Sequence, residues 1–169
     1  MEGKVKGINL PSFLSNFFYV FEFRDVKIEK LFVGLRYSDK RKIEYLNILK
    51  TPHYFFALNN IDSKIKFLKN EPINYQSYID SNQDDPRSKE RFTVLIDSIK
   101  KNGYNFKESP ILVFRTFKRP LPLDRWDVAD GFHRLAILAA LGNKSIKVAI
   151  LKRKQSFFTR LKQKIKDAK

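Results

Sequence analysis

The stretch that decides the fold is residues 126–142, which read WDVADGFHRLAILAALG. Residues from Arg125 to Ala129 predict a short buried strand, and Asp130-Gly131 breaks it with a turn. The Leu- and Ala-rich run that follows predicts a largely buried helix, which ends at Gly142. The sequence therefore predicts a strand, a tight turn and a buried helix in immediate succession.

Three further elements surround this unit. Apolar residues at i, i+3, i+4 and i+7 predict a helix from about Lys89 to Lys101. Residues 110–114 predict a short buried strand, and the alternation in residues 144–151 predicts another. The order helix, strand, strand, helix, strand indicates an α+β or α/β core over residues 89–151. Residues 1–88 are expected to pack onto it.

The N-terminal part gives weaker signals. Its aromatic stretch, Phe13 to Phe23, has an early spacing that suits a helix and a later alternation that suits a strand. Residues 44–50 predict a short helix that the Thr51-Pro52 step ends. Residues 71–87 are polar and predict a long connection with one helical turn near Tyr75.

Composition excludes several classes of protein. The chain has 169 residues, 43% of them hydrophobic, and no Cys, so we expect one folded domain without disulfides, thiolate nucleophiles or thiolate-bound metal. No apolar run is long enough to span a bilayer, and the start of the chain lacks a signal-peptide pattern. A cytoplasmic protein is expected, either free or peripheral on the inner membrane face. The net charge of +16 favours phosphate-bearing partners.

The residues that indicate chemistry are Asp130-Gly131-Phe132-His133-Arg134, where the strand turns into the helix. Backbone amides at a helix start are unpaired and the helix dipole is positive there, so the junction suits an anion. Gly131 permits close approach of a ligand, Arg134 adds a fixed cation and His133 can donate or accept a proton. Asp130 can hold a hydroxyl or Mg²⁺. The alternative is an ordinary helix start with Asp130 as its N-cap.

The run from Phe92 to Leu151 resembles the ParB/sulfiredoxin superfamily in its ordered helices and strands and in its Asp-Gly-x-His-Arg motif. The resemblance implies a small mixed sheet flanked by helices, and nucleotide phosphates bound by Gly131, His133 and Arg134. Sulfiredoxin chemistry is excluded because Phe132 stands where those enzymes need a Cys. Partitioning ParB proteins carry Glu-Arg-Arg in place of His-Arg and continue into DNA-binding domains.

The Asp-Gly-x-His-Arg form is most similar to the free-serine-kinase branch, and Thr51-Pro52-His53-Tyr54 resembles an element of small ParB-like proteins associated with surface-polysaccharide genes. In that group a Tyr-x-x-Tyr element, here Tyr75 and Tyr78, accompanies the Pro-His step. The kinases also rely on a Glu near that step, which this chain lacks. His53 has a simpler interpretation as a core or capping histidine.

The predicted function is phosphoryl transfer from Mg-bound ATP or ADP to a small hydroxylated or sugar-like acceptor. The candidate catalytic residues are Asp130, His133 and His53. Weaker candidate bases are Glu71 and the pair Asp84 and Asp85, although the acidic run of this pair is more typical of a solvated loop. The alternative function is a ParB-like DNA-binding or nuclease module with a CTP or ATP site.

Residues 152–169 predict a basic amphipathic helix with an apolar stripe that includes Phe157 and Leu161. Such a helix can lie on an anionic membrane, bind nucleic acid, or pack its apolar stripe on its own domain. The basic residues assigned to a nucleic-acid or membrane surface are Lys152, Arg153, Lys154, Arg160, Lys162 and Lys164.

Overall fold

The computed structural model describes residues 10, 12–15, 17–36, 43–61, 75, 78, 88–115 and 124–154. These residues form a mixed α+β structure in which helices flank a six-stranded sheet. The predicted α+β class is confirmed. Among the described residues, no helix is both long and apolar enough to cross a membrane.

The helices of the described residues are α1 (Ser12–Ser15), α2 (Pro52–Ile61), α3 (Ser88–Asn102) and α4 (Phe132–Ala140). The strands are β1 (Phe18–Lys27), β2 (Leu31–Arg36), β3 (Ile43–Asn47), β4 (Leu112–Arg115), β5 (Trp126–Asp130) and β6 (Ser145–Arg153). Single 3₁₀ turns, Ile28–Lys30 and Ile48–Lys50, follow β1 and β3.

The strand order across the sheet is β1-β6-β4-β5-β2-β3. Strands β4 and β6 are parallel, as are β2 and β5, whereas the other neighbouring pairs are antiparallel. The first part of the chain therefore supplies both outer strands of the sheet, β1 and β3. Residues 1–88 do more than cover the 89–151 unit, because β1 pairs with β6 and β2 pairs with β5.

Two faces of the sheet bury different residues. Helices α2, α3 and α4 cover one face through side chains such as Ala57, Ile96 and Leu135, which are at most 1% exposed. The other face has a smaller core in which Leu14 of α1 meets Val20 and Leu151. Most of the apolar burial, and hence most of the stabilisation, lies on the helix-covered face.

Several predicted elements match the structure within a few residues. The helix predicted at 89–101 is α3, and the strand, turn and helix of the 126–142 stretch are β5, Gly131 and α4. The aromatic stretch divides as its spacing indicated, because α1 is followed directly by β1.

The short helix predicted for residues 44–50 is wrong. Residues 43–47 form β3, which pairs with β2 from Arg36↔Ile43 to Phe32↔Asn47, and only Ile48–Lys50 turn helically. Pairing with a neighbouring strand overrides local spacing in so short a segment.

The C-terminal helix predicted from residue 152 also needs a correction at its start, since Lys152 and Arg153 extend β6. Residues 155–169, including Arg160, Lys162 and Lys164, lie outside the described residues.

Candidate functional site

The turn at Gly131 shapes the start of α4. Gly131 is buried and has φ +86°, a left-handed conformation that favours glycine. A Cβ atom built there would lie 3.1 Å from the Cα of Ile111 and 3.0 Å from Arg134 Nη2. The turn therefore needs glycine both for its backbone angle and for its close approach to the chain entering β4.

Among the described residues, no side chain caps the N-terminus of α4. The N-cap residue is Gly131, which has no side chain to accept a hydrogen bond from the helix, so the interpretation of Asp130 as the N-cap is wrong. The first intrahelical bond runs from Leu135 N–H to the Gly131 carbonyl at 2.9 Å. The backbone N–H groups that precede Leu135 in the helix have no helical acceptor.

Arg134 is held beside this turn by two residues. Its guanidinium donates to the Ser109 carbonyl at 2.9 Å and also to the Ser109 hydroxyl. Its Nη2 lies 3.4 Å from Asp130 Oδ2, with the Asp130 side chain 42% exposed. The cation is thus fixed in place at the helix N-terminus, while the carboxylate beside it remains open to solvent.

His133 points into a cluster of aromatic rings. The Tyr75 hydroxyl lies 3.2 Å from His133 Nε2, and the ring of Phe92 lies 4.7 Å from the imidazole, centroid to centroid. Burial, assisted by the Arg134 charge, lowers the pKa of His133 to about 4, with Asp130 acting in the opposite direction. His133 is therefore neutral at pH 7, with one ring nitrogen as a donor and the other as an acceptor.

His53 lies beside His133 although the two are far apart in sequence. It is the second residue of α2, whose start is capped by the Thr51 hydroxyl accepting from Tyr54 N–H at 3.2 Å. The centroids of the two imidazoles are 5.0 Å apart. Burial, with a smaller effect of His133, lowers the pKa of His53 well below its usual value.

The Nδ1 atom of His53 is buried without a hydrogen-bond partner among the described residues, and the residue is 1% exposed. Buried polar atoms without partners are uncommon in folded proteins and often mark functional sites. Its ring also contacts Tyr78 and Phe132, at centroid distances of 4.9 and 4.8 Å. We call this set, His53, Tyr75, Tyr78, Phe92, Phe132 and His133, the histidine cluster.

The structure brings the predicted site residues together. Asp130, Gly131, His133 and Arg134 surround the start of α4, and His53 joins them from α2. The weaker candidate bases, Glu71, Asp84 and Asp85, lie outside the described residues.

Two residues that lie at the site, Ser109 and Tyr104, were not predicted from the sequence. Ser109 holds Arg134, and the hydroxyl of the half-buried Tyr104 accepts from Ile111 N–H at 2.8 Å, while partial burial raises the pKa of that phenol. Both lie in the turn between α3 and β4, where a Ser or Tyr is too common to signal a role in a distant site.

Among the described residues, no three His, Asp or Glu side chains come close enough to form a metal site. Mg²⁺, however, is usually held by one or two carboxylates together with substrate phosphates. Asp130, whose side chain is partly exposed beside the start of α4, is a carboxylate of the kind that takes part in such binding.

Compared with known proteins, the chain matches no family model, no curated protein and no solved structure. Membership of the ParB/sulfiredoxin superfamily therefore stays a prediction from the sequence motifs.

Proposed function

We propose that this protein binds the phosphates of a nucleotide at the N-terminus of α4 and transfers a phosphoryl group to a small hydroxylated or sugar-like acceptor. The observation that carries the proposal is the uncapped helix start at Gly131, with Arg134 fixed beside it and the histidine cluster behind it. Free backbone amides, a positive helix end and a guanidinium are the usual components of a phosphate site.

Each polar side chain has a distinct role in this proposal. Arg134 neutralises phosphate charge and exchanges its long 3.4 Å contact with Asp130 for the ligand. Asp130 then either accepts the proton of the acceptor hydroxyl or ligates Mg²⁺ that accompanies ATP or ADP. Mg²⁺ supplies charge neutralisation when it is bound.

The histidines act as neutral groups. Because His133 has a pKa of about 4, it contributes no positive charge at pH 7 and orients a ligand through hydrogen bonds instead. His53 is 1% exposed and packs against His133, so its role is to position the His133 ring rather than to contact the ligand. A charge-neutral wall beside a cationic helix end suits a ligand that presents both phosphate and hydroxyl groups.

The test is calorimetric binding of ATP, ADP and CTP, each with Mg²⁺ and at two salt concentrations. We expect ATP or ADP to bind the wild type and Arg134→Gln to weaken that binding about tenfold or more, since one charge-assisted phosphate contact is lost. Lys100→Gln, an exposed cation on α3, is the matched control and should bind as the wild type does.

Acceptor use is tested by nucleotide turnover with a panel of serine-like, polyol and sugar acceptors. Asp130→Asn should retain nucleotide binding in the absence of Mg²⁺ and lose turnover. Equal nucleotide affinity in the wild type and a folded Arg134→Gln variant would remove the site. Selective binding of CTP together with DNA would favour the ParB-like alternative.

A further inference from the structure

A cavity of about 850 Å³ lies at the end of the sheet remote from the start of α4. Strand β5 begins at this cavity, at Trp126, and ends at Asp130 beside the candidate site. The cavity is therefore separate from the histidine cluster and from the site proposed above.

The cavity opens where two central strands separate. Strand β4 pairs with β6 at only two positions, Leu112↔Ala149 and Val113↔Ile150. Strand β1, in contrast, pairs with β6 as far as Arg153, the last residue of β6. Beyond Val113 the next residues of β4 line the cavity on one side and the end of β6 lines it on the other.

Aromatic side chains form much of the cavity wall. Phe18 of β1 and Phe114 of β4 meet across the intervening β6, with ring centroids 5.9 Å apart. Trp126, Phe21 and Tyr45 also line the cavity, and Phe17 at the rim is 57% exposed. Concave, mostly apolar pockets of this volume are typical of sites for small organic molecules.

The charged residues of the cavity leave a positive excess. Five cations line it: Arg24, Arg115, Arg125, Lys152 and Arg153. The two acidic residues that line it are already paired, Glu22 with Arg24 and Asp127 with Arg125. Arg115, Lys152 and Arg153 make no ion pair with any described residue, so the cavity has charge available for an anion.

We propose that this cavity binds a monomeric anionic amphiphile, a single alkyl or acyl chain that ends in a phosphate or carboxylate. The chain lies between the aromatic rings, and the head group contacts Arg115 and Arg153 at the rim. Burial of apolar chain carbons supplies most of the affinity, and the cations fix the orientation of the ligand.

A single-stranded nucleic acid fits this cavity less well. Stacking of bases needs open aromatic faces, but Arg115 already lies 5.1 Å from the ring centroid of Trp126. Lys152 Nζ lies 3.3 Å from the ring centroid of Phe21 in the same way. A cation therefore already lies over each of these two rings, which leaves less aromatic surface for base stacking.

The fluorescence of Trp126 reports on ligand binding in this cavity, because Trp126 lines the cavity and is the single Trp of the chain. The probes are decyl phosphate below its micelle concentration, decanol as the uncharged chain, and inorganic phosphate as the head group alone. Decyl phosphate should shift the Trp126 emission in a saturable one-to-one titration. Decanol should bind about tenfold more weakly, and inorganic phosphate should not bind.

Two matched variants each reverse one charge. One lies at the rim of the cavity and the other lies far from it. Arg153→Glu should weaken decyl phosphate binding about tenfold or more. Lys27→Glu, exposed on β1 at the opposite end of the sheet, should bind as the wild type does. Both positions are exposed, and circular dichroism checks that each variant is folded.

Three results would overturn the proposal. One is the absence of a saturable change with decyl phosphate, and another is equal binding of inorganic phosphate. The third is binding only to anionic vesicles or to an oligothymidylate, which would assign the positive rim to a surface contact rather than to a ligand in the cavity. None of these results bears on nucleotide binding at α4, which Arg134→Gln tests separately.

Discussion

Acid should destabilise this protein through His133 more than through an ordinary histidine. The pKa of His133 is about 4 in the folded chain, below its ordinary value of 6.5. As pH falls through 6.5, His133 of the unfolded chain binds a proton, whereas His133 of the folded chain binds it only near pH 4. The stabilising effect of burying a neutral ring is therefore complete above pH 6.5 and is lost progressively as pH falls from 6.5 to about 4.

The lowered pKa of His133 gives the size of the expected loss of stability. Each unit of pKa corresponds to about 1.4 kcal/mol, and integration of the proton uptake of His133 between pH 7 and pH 5 gives a loss of about 2 kcal/mol in the free energy of unfolding. His53, whose pKa burial also lowers, adds to the loss in the same direction.

The assay is urea unfolding at pH 7, 6 and 5, followed by far-ultraviolet circular dichroism. His133→Asn retains a polar side chain that does not titrate in this range, so its stability should fall between pH 7 and pH 5 by about 2 kcal/mol less than that of the wild type. Carboxylates titrate in both proteins and cancel in the comparison. Parallel stability curves for the two proteins would refute the argument that His133 is buried in its neutral form.

Three further predictions concern stability. Gly131→Ala should cost about 1–2 kcal/mol more than Gly142→Ala, because both glycines have positive φ but only Gly131 has backbone within 3.1 Å of the added Cβ; thermal unfolding that ranks them equally would contradict the close contact. Leu135→Ala, at a fully buried position, should cost about 2–5 kcal/mol by urea unfolding, and a cost below 1 kcal/mol would contradict its core position. Asp127→Ala should destabilise by about 3 kcal/mol because it leaves the buried Arg125 without its partner. Replacing both with apolar residues should restore much of that stability, and additive losses would show that the pair is not coupled.

The elements that the sequence predicted well are those with a local signal. Helix α3 follows from the i, i+3, i+4, i+7 spacing that begins at Phe92, and all three of Phe92, Ile96 and Ile99 are buried. Strand β2 was missed although Leu31, Val33 and Leu35 alternate with less buried residues and are each at most 3% exposed, which is a period-two signal. Strand β3 was mistaken for a helix because its pairing partner, not its own spacing, decides its structure.

Some parts of the site could be predicted from the sequence, whereas other parts could not. The helix start at Gly131 followed from residues adjacent in sequence. The contact between His53 and His133 depends on packing between α2 and α4, and only the family resemblance linked these residues beforehand. The cavity was not predicted at all, since it arises from the separation of β4 and β6 and has no pattern of its own in the sequence.

The pairing of β1 with β6 has a consequence for synthesis of the chain. Lys154 donates to the Ser15 carbonyl across a separation of 139 positions, and β1 pairs with β6 along its whole length apart from an irregularity between Val20 and Glu22. During synthesis β1 leaves the ribosome before its partner has been made, so the aromatic strand has an unpaired edge until residues 145–153 are available. Such long-range closure slows folding. Until β6 pairs with it, the stretch from Phe17 to Phe23 is therefore the part of β1 and its approach that is expected to need protection from aggregation.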